Sequence, residues 1–478
     1  MASSPLIGHG GQALGAGTAA LLVAVHHEIL LFAAVGLAIG GLDDLLIDIF
    51  YFGRKAWRDI VIYARHQRMT GPELPHSRRP GKIAVFVPAW QESNVIAAML
   101  NHARDSWGEA RYRIFVGVYP NDGATIDAVA DVACDATWLT LCINDRAGPT
   151  TKADCLNLLW RAMRAEEEQG DFRYKAILLH DAEDVVHADE IRLFDFMIDR
   201  FDLVQLPVLP LRGRGGWWRR AIADHYGDEF AESHGKLLSV REALGASVPS
   251  AGVACAFERD MLAALALDEA AGPFDPGSLT EDYEAGLRIR DMGGRSAFVR
   301  MRDAYGNIIA TREFFPDSID AAVRQKARWT IGIALAGWDR LGWRGGPAEF
   351  WMRLRDRRAV LAALVLFAAY LTLVLLVALA LLALVMPLPD RPLTPLMTAL
   401  LWFNLFLMLW RMAMRFLFVA RAYGLRAGLG AVPRTLIANY IGILAARRAI
   451  FLYLRSLAGQ PLRWDKTQHR FPDLKTDP

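Results

Sequence analysis

The sequence predicts an α/β domain on a largely parallel sheet, with membrane-spanning helices before and after it and a further helix at the membrane surface. Three observations carry this. Between residues 53 and 358, short β-rich runs alternate with helical patterns, the mark of strand–helix–strand units. Long apolar runs flank that segment on both sides. Arginine and lysine gather where those runs meet the central segment.

The first apolar run covers residues 27–52, and Arg54, Lys55, Arg58, Arg65 and Arg68 follow it closely. It lacks a basic leading region and a small-residue cleavage site, so it is expected to remain as an anchor, with residues 1–26 outside. Residues 359–386 carry no charge and would form about 42 Å of helix, enough to cross a bilayer with tilt. Arg353, Arg355, Arg357 and Arg358 stand just before them. A turn at 387–395 leads to a third run at 396–420, followed by Arg421, Arg426 and Arg434. Residues 435–457 mix Arg447, Arg448 and Arg455 with apolar and aromatic side chains, which suits an interfacial helix, and 458–478 form a tail. The charge bias puts 53–358 on the cytoplasmic side of the membrane. Asp43, Asp44 and Asp48 in the first span, and Arg411 and Arg415 in the third, are expected to pair with one another.

Within the central segment, residues 83–88, 113–119 and 176–180 are the expected strands. Helical patterns lie at 94–105, 125–133 and 152–168. Ligands of such sheets bind beyond the carboxyl ends of the strands, and each of these three runs ends in a polar motif. A net charge of +2 offers nothing for nucleic acid to bind. The four cysteines show no CxxC or zinc-like spacing and are expected as reduced thiols.

Four short motifs then follow in order: Asn121-Asp122-Gly123, Asp181-Ala182-Glu183-Asp184, Thr280-Glu281-Asp282 and Gln325-Lys326-Ala327-Arg328-Trp329. Taken singly, each has a plain structural explanation. Asn-Asp-Gly is a common turn. The acidic runs could start helices. Gln325, Arg328 and Trp329 share one helix face and could rest on the membrane.

In this order, ahead of a membrane anchor, the motifs resemble those of family-2 inverting glycosyltransferases of the membrane-bound synthase kind. The resemblance covers most of residues 27–475 and implies a cytoplasmic GT-A fold using a UDP-sugar, a hexose or N-acetylhexosamine donor. It implies that Asp181, with Glu183 or Asp184, holds Mg²⁺ or Mn²⁺, although Glu183 stands where the Asp-x-Asp motif has its second Asp. By the same resemblance Glu92, in Val87-Pro88-Ala89-Trp90-Gln91-Glu92, and Asp122 hold the nucleoside, and Lys152 lies near the nucleotide. Asp282 becomes the base that deprotonates the acceptor, with Glu281 beside it. Arg328 forks to the diphosphate, and Gln325 and Trp329 meet the acceptor. Trp464-Asp465-Lys466-Thr467-Gln468-His469 resembles a tail that closes over the nucleotide, with Lys466 and His469 adding positive charge to the leaving group.

His26-His27-Glu28, Gly41-Leu42-Asp43-Asp44-Leu45 and residues 180–187 narrow the resemblance to a bacterial branch tied to phage adsorption. That branch implies a glycan or lipid-linked acceptor, surrounding membrane lipid and an outer-membrane export partner. Two rivals stand beside this reading: single-sugar transfer to a lipid carrier, and a non-catalytic membrane scaffold or receptor component.

Overall fold

The computed structural model describes residues 8–134, 136–267, 272–460 and 470–473, with side chains from residue 17 onward. The chain opens with α1 (Gly8–Val61), then β1 (Ile83–Pro88), α2 (Ile96–Trp107), β2 (Tyr112–Val118) and α3 (Gly123–Ala133). Next come β3 (Leu139–Ile143), α4 (Lys152–Gly170), β4 (Ala176–Leu179), α5 (Glu190–Met197) and β5 (Leu203–Gln205). After β5 stand α6 (Trp217–Glu232), a π-helical turn (Ser233–Leu237) and α7 (Leu238–Ala243). They lead to β6 (Cys255–Glu258), α8 (Arg259–Leu267), α9 (Glu281–Asp291) and β7 (Ser296–Phe298). The last part comprises α10 (Ile319–Trp329), a second π-helical turn (Thr330–Ala336), α11 (Gly337–Leu341) and α12 (Pro347–Arg357). It ends with α13 (Ala359–Leu382), α14 (Pro395–Tyr423) and α15 (Leu425–Leu457).

Among the described residues the strands form one seven-stranded sheet in the order β3-β2-β1-β4-β6-β5-β7. β3, β2, β1 and β4 run parallel, and so do β5 and β7. β6 runs antiparallel to both of its neighbours. The three expected strands are present within a residue or so. The short strands β5 and β7 and the reversed β6 carry too little sequence pattern to stand out.

Both faces of the sheet are covered, as a parallel sheet requires. Ile83, Val85 and Val87 pack with Met99, Leu100 and Trp107 of α2 and Phe194 of α5. Their neighbours Ala84 and Phe86 point the other way, onto Leu156, Leu159 and Met163 of α4.

Among the described residues, four helices are long and apolar enough to cross a membrane: α1, α13, α14 and α15. α1 begins at Gly8 and ends at Val61, far beyond 27–52 on both sides. The small and apolar residues ahead of His26 contain no proline after Pro5, so nothing stops the helix there. Gly36 and Gly41 let α1 close on Val365 of α13 and Leu407 of α14. Glu28 pairs with Arg391 in the turn between α13 and α14 at 3.0 Å. Nearer its other end, Asp43 and Asp44 meet Arg355, Arg358 and Arg411. The apolar stretch between these two charged rims rises about 22 Å along the helix.

The expected pairing of aspartates with Arg411 and Arg415 needs one correction. Arg411 does pair with Asp44. Arg415 instead reaches Glu232 of α6 at 2.7 Å, and Asp48 is taken by Lys236 and by the Trp410 ring N–H. The reason is that α6 lies against the membrane helices. Positions four apart on this helix and its π turn share a face. Asp228 there binds Arg434 of α15 at 2.7 Å, Glu232 binds Arg415 of α14, and Lys236 binds Asp48 of α1. α15 starts at Leu425, ahead of the expected residue 435, and carries Pro433 inside it. Ala427 and Ala431 pack against Val419 and Ala231, and that burial offsets the lost hydrogen bond at the proline.

Candidate active site

The carboxyl ends of β1, β2 and β4 share one edge of the sheet. Because β6 is reversed, its entry loop opens on the same edge, where ligands of such sheets bind. Beyond β1, the Gln91 backbone N–H donates to Asp122 Oδ2 at 2.5 Å, stitching that loop to the end of β2. Gln91 adopts a left-handed φ of 56° to do so. Glu92 is buried, and its N–H donates to Thr125 Oγ1 on α3 at 3.0 Å. Trp90 meets Tyr119 edge-on at 5.1 Å. Asn121 exchanges two hydrogen bonds with the Gly148 backbone, at 2.8 and 2.7 Å. Glu92 and Asp122 are therefore held close together at this edge.

Lys152 opens α4 behind a capping box made by Thr151 and Asp154, so its position is set by helix-start chemistry. Its Nζ lies 2.6 Å from Asp181 Oδ1 and 3.5 Å from the Gly252 carbonyl. Burial works against this ammonium, but Asp181, Glu281 and Asp282 outweigh it and hold Lys152 above the ordinary lysine range. Glu281 and Asp282 stand in the first turn of α9. Burial pushes Glu281 up to about 7, with Asp282 adding to the shift. Burial also raises Asp282, while Lys152 and the Tyr283 N–H, 2.7 Å away, act against it. Arg328 on α10 is half-buried and adds its field to both carboxyls.

Asp181 is partly exposed and faces Lys152, whereas Glu183 and Asp184 are buried. Asp184 Oδ2 lies 2.6 Å from His180 Nδ1, and His180 Nε2 lies 2.9 Å from Glu190 Oε1. Burial disfavours the imidazolium, but Glu190 and Asp184 override it and push His180 up to about 10. Gln325 keeps a buried Oε1 without a hydrogen-bond partner. Trp329 packs against Tyr226 and Phe315 at 6.1 and 6.5 Å. Lys466 and His469 lie outside the described residues.

The fold thus gathers Lys152, Asp181, Glu281, Asp282 and Arg328 into one charged group, with Glu92 and Asp122 at the same edge. Sequence reasoning missed three participants. Gly252, with φ +77°, lies where any side chain would collide with Asp282 Oδ2. Glu313 lies near the acidic turn because Arg312 bridges to Val185. Burial, followed by Asp184, Glu183 and Asp181, raises its carboxyl well above the usual range. No motif marks Glu313. His180 did leave a signal, as a histidine ending an otherwise apolar strand.

Carboxylates outnumber cations here, and Asp184 Oδ1 is buried with no hydrogen-bond partner. A hard divalent cation takes such oxygens and lets phosphate complete its shell, so the residues fit one.

The profile of Glycosyl transferase family group 2 matches residues 176–445, more than half of the chain. The chain belongs to that family.

This family-2 glycosyltransferase is 37% identical over 465 residues to Bacteriophage adsorption protein B of Escherichia coli strain K12. It matches Bacteriophage N4 adsorption protein B of Escherichia coli O157:H7 to the same extent. Each match covers 93% of this chain and 62% of the relative, so the chain spans less than two thirds of their length. Among solved structures it is similar to a mannosyltransferase from Pyrobaculum calidifontis in complex with GDP-Man and Mn²⁺. That likeness has a TM-score of 0.50 at 16% identity, covering 85% of this glycosyltransferase and 99% of the other chain. It places the sheet domain in the GT-A fold.

Proposed function

We propose that the chain is an inverting, metal-dependent glycosyltransferase of the inner membrane that transfers sugar from a UDP-sugar to a surface polysaccharide. The observation that carries this reading is the charged group of Asp282, Glu281, Lys152 and Asp181 at the sheet's carboxyl edge, with Gly252 keeping Asp282 clear.

In this reading Asp282 takes the proton of the acceptor hydroxyl as that oxygen attacks the anomeric carbon. Glu281, pushed up to about 7, can hold a proton at neutral pH and hydrogen-bond the acceptor. Lys152 and Arg328 favour the negative charge that builds on the departing diphosphate. Glu92 and Asp122 hold the nucleoside. Asp181, with Glu183 or Asp184, would hold Mg²⁺ or Mn²⁺. When bound, that cation neutralises the leaving diphosphate. Gln325 and Trp329 bear on the acceptor, and Lys466 and His469 close on the nucleotide.

The arginines at the ends of α12 and α14 support a cytoplasmic site with α13 and α14 in lipid. The relatives' names concern bacteriophage adsorption, a surface event, which supports a glycan or lipid-linked acceptor and an outer-membrane export partner. The direct test incubates the detergent-purified protein and Mn²⁺ or Mg²⁺ with a panel of UDP-sugars and measures UDP release. One donor should work, and Asp282→Asn should lower the rate by at least about 100-fold. Equal rates in the folded variant would remove Asp282 from the reaction.

A further inference from the structure

We propose that Asp184, rather than Glu183, completes the cation site with Asp181, and that His180, held by Glu190, is the residue that positions it. The proposal rests on the glycosyltransferase reading above.

His180 is fully buried at the end of β4. Both of its ring nitrogens face carboxylate oxygens, Asp184 Oδ2 at 2.6 Å and Glu190 Oε1 at 2.9 Å, so the ring ties the two side chains together. Asp184 Oδ2 also accepts the Asp181 backbone N–H at 3.1 Å, and the Asp184 N–H returns to the Asp181 carbonyl at 3.2 Å. The other end of the segment is fixed to the same imidazole, because Glu190 Oε2 accepts the His187 N–H at 3.4 Å. α2 braces it from outside, with His102 Nε2 3.0 Å from the Val186 carbonyl and Trp107 Nε1 3.2 Å from that of His187.

One oxygen of Asp184 is therefore clamped, and its Oδ1 is left buried without a partner. Buried polar atoms in native proteins nearly always find a partner, and a cation shared with Asp181 would supply one here. A carboxylate ligand held through its second oxygen is a common arrangement around metals, where outer partners orient the inner ligands. Glu183 keeps an interaction of its own. Moving the second ligand one residue along the turn accounts for a glutamate standing in the Asp-x-Asp position.

The test uses the full chain in detergent with UDP and follows free Mn²⁺ by electron paramagnetic resonance, alongside melting temperature and size-exclusion profile. Asp181→Asn and Asp184→Asn should each weaken Mn²⁺ binding by about tenfold or more, and Glu183→Gln by less than about threefold. His180→Gln should also weaken binding by about tenfold in protein that remains folded, a change that loss of stability alone would not produce. If Asp184→Asn does not fold, Asp184→Asn combined with His180→Gln and Glu190→Gln leaves no charge of that cluster unpaired and should show the same loss. Loss in Glu183→Gln with normal binding in the Asp184 variants overturns the proposal, as does normal binding in all of them. If the unsubstituted protein binds no Mn²⁺ with UDP, the metal-dependent reading itself fails, and the proposal fails with it.

Discussion

At the scale of single residues, the site depends on how burial is set against charge. Glu281 and Asp282 share the first turn of α9, where burial favours their protonated forms and Lys152 opposes it. A base must be ionised to act. A carboxyl raised above its ordinary value keeps its proton to higher pH, so activity should be lost on the acid side sooner than usual. Because burial raises Asp282, the rate of UDP release should begin to fall at a higher pH than the value of about 4 at which an ordinary carboxylate takes up its proton. A rate that holds down to about pH 4 would rule out Asp282 as the proton acceptor. Gly252 makes a second residue-scale claim. An alanine there would be strained at φ +77° and would push Asp282 aside. Gly252→Ala should cut turnover by roughly 100-fold in folded protein, because displacement of a reacting group by about 1 Å has that effect.

At the scale of elements, α6 does more than its sequence suggests. Asp228, Glu232 and Lys236 tie it to α15, α14 and α1 in turn, while Glu229 on another face binds Lys326 of α10. α6 and its π turn are thus held to three membrane helices through buried ion pairs. Such pairs contribute little net stability, but losing one partner strands the other charge, at a cost of about 3–5 kcal/mol. Arg415→Ala should therefore lower the melting temperature sharply, while Arg415→Met with Glu232→Leu should restore most of it. A melting temperature unchanged in Arg415→Ala would mean that the pair is solvated. Elements also mark how far the sequence could be read. β1, β2 and β4 were legible because each is a mostly apolar run followed by a polar motif. β5 and β7 have three residues each, and β6 runs against the parallel pattern. Strands that short owe their existence to neighbours, and a linear pattern does not carry that information.

At the scale of the whole molecule, two charged rims bracket the apolar helices. Glu28 and Arg391 stand at one end, and the Asp43–Asp44 cluster with Arg355, Arg358 and Arg411 at the other. The sheet domain lies beyond the arginine-rich rim, so the proposed orientation gives sealed membranes a working side. Inverted vesicles should release UDP from externally added donor, and right-side-out vesicles should do so only after permeabilisation. Equal rates in both, with membranes shown to be sealed, would overturn the topology.

The chain's own order of residues settled the class of the molecule. Apolar helix-length runs, arginine bias and four motifs in fixed succession are local signals, and local signals survive in a linear string. The motifs also named most of the groups that meet at the sheet edge, among them Lys152, Asp181 and Asp282. Only the tertiary structure decided which of them touch. It turned β6 around so that Gly252 clears Asp282, brought Glu313 up to the acidic turn, and sent Arg415 to α6 instead of α1. Each of those outcomes depends on burial and on contacts between residues dozens to hundreds of positions apart, where the energy lies in desolvation and pairing rather than in any local preference.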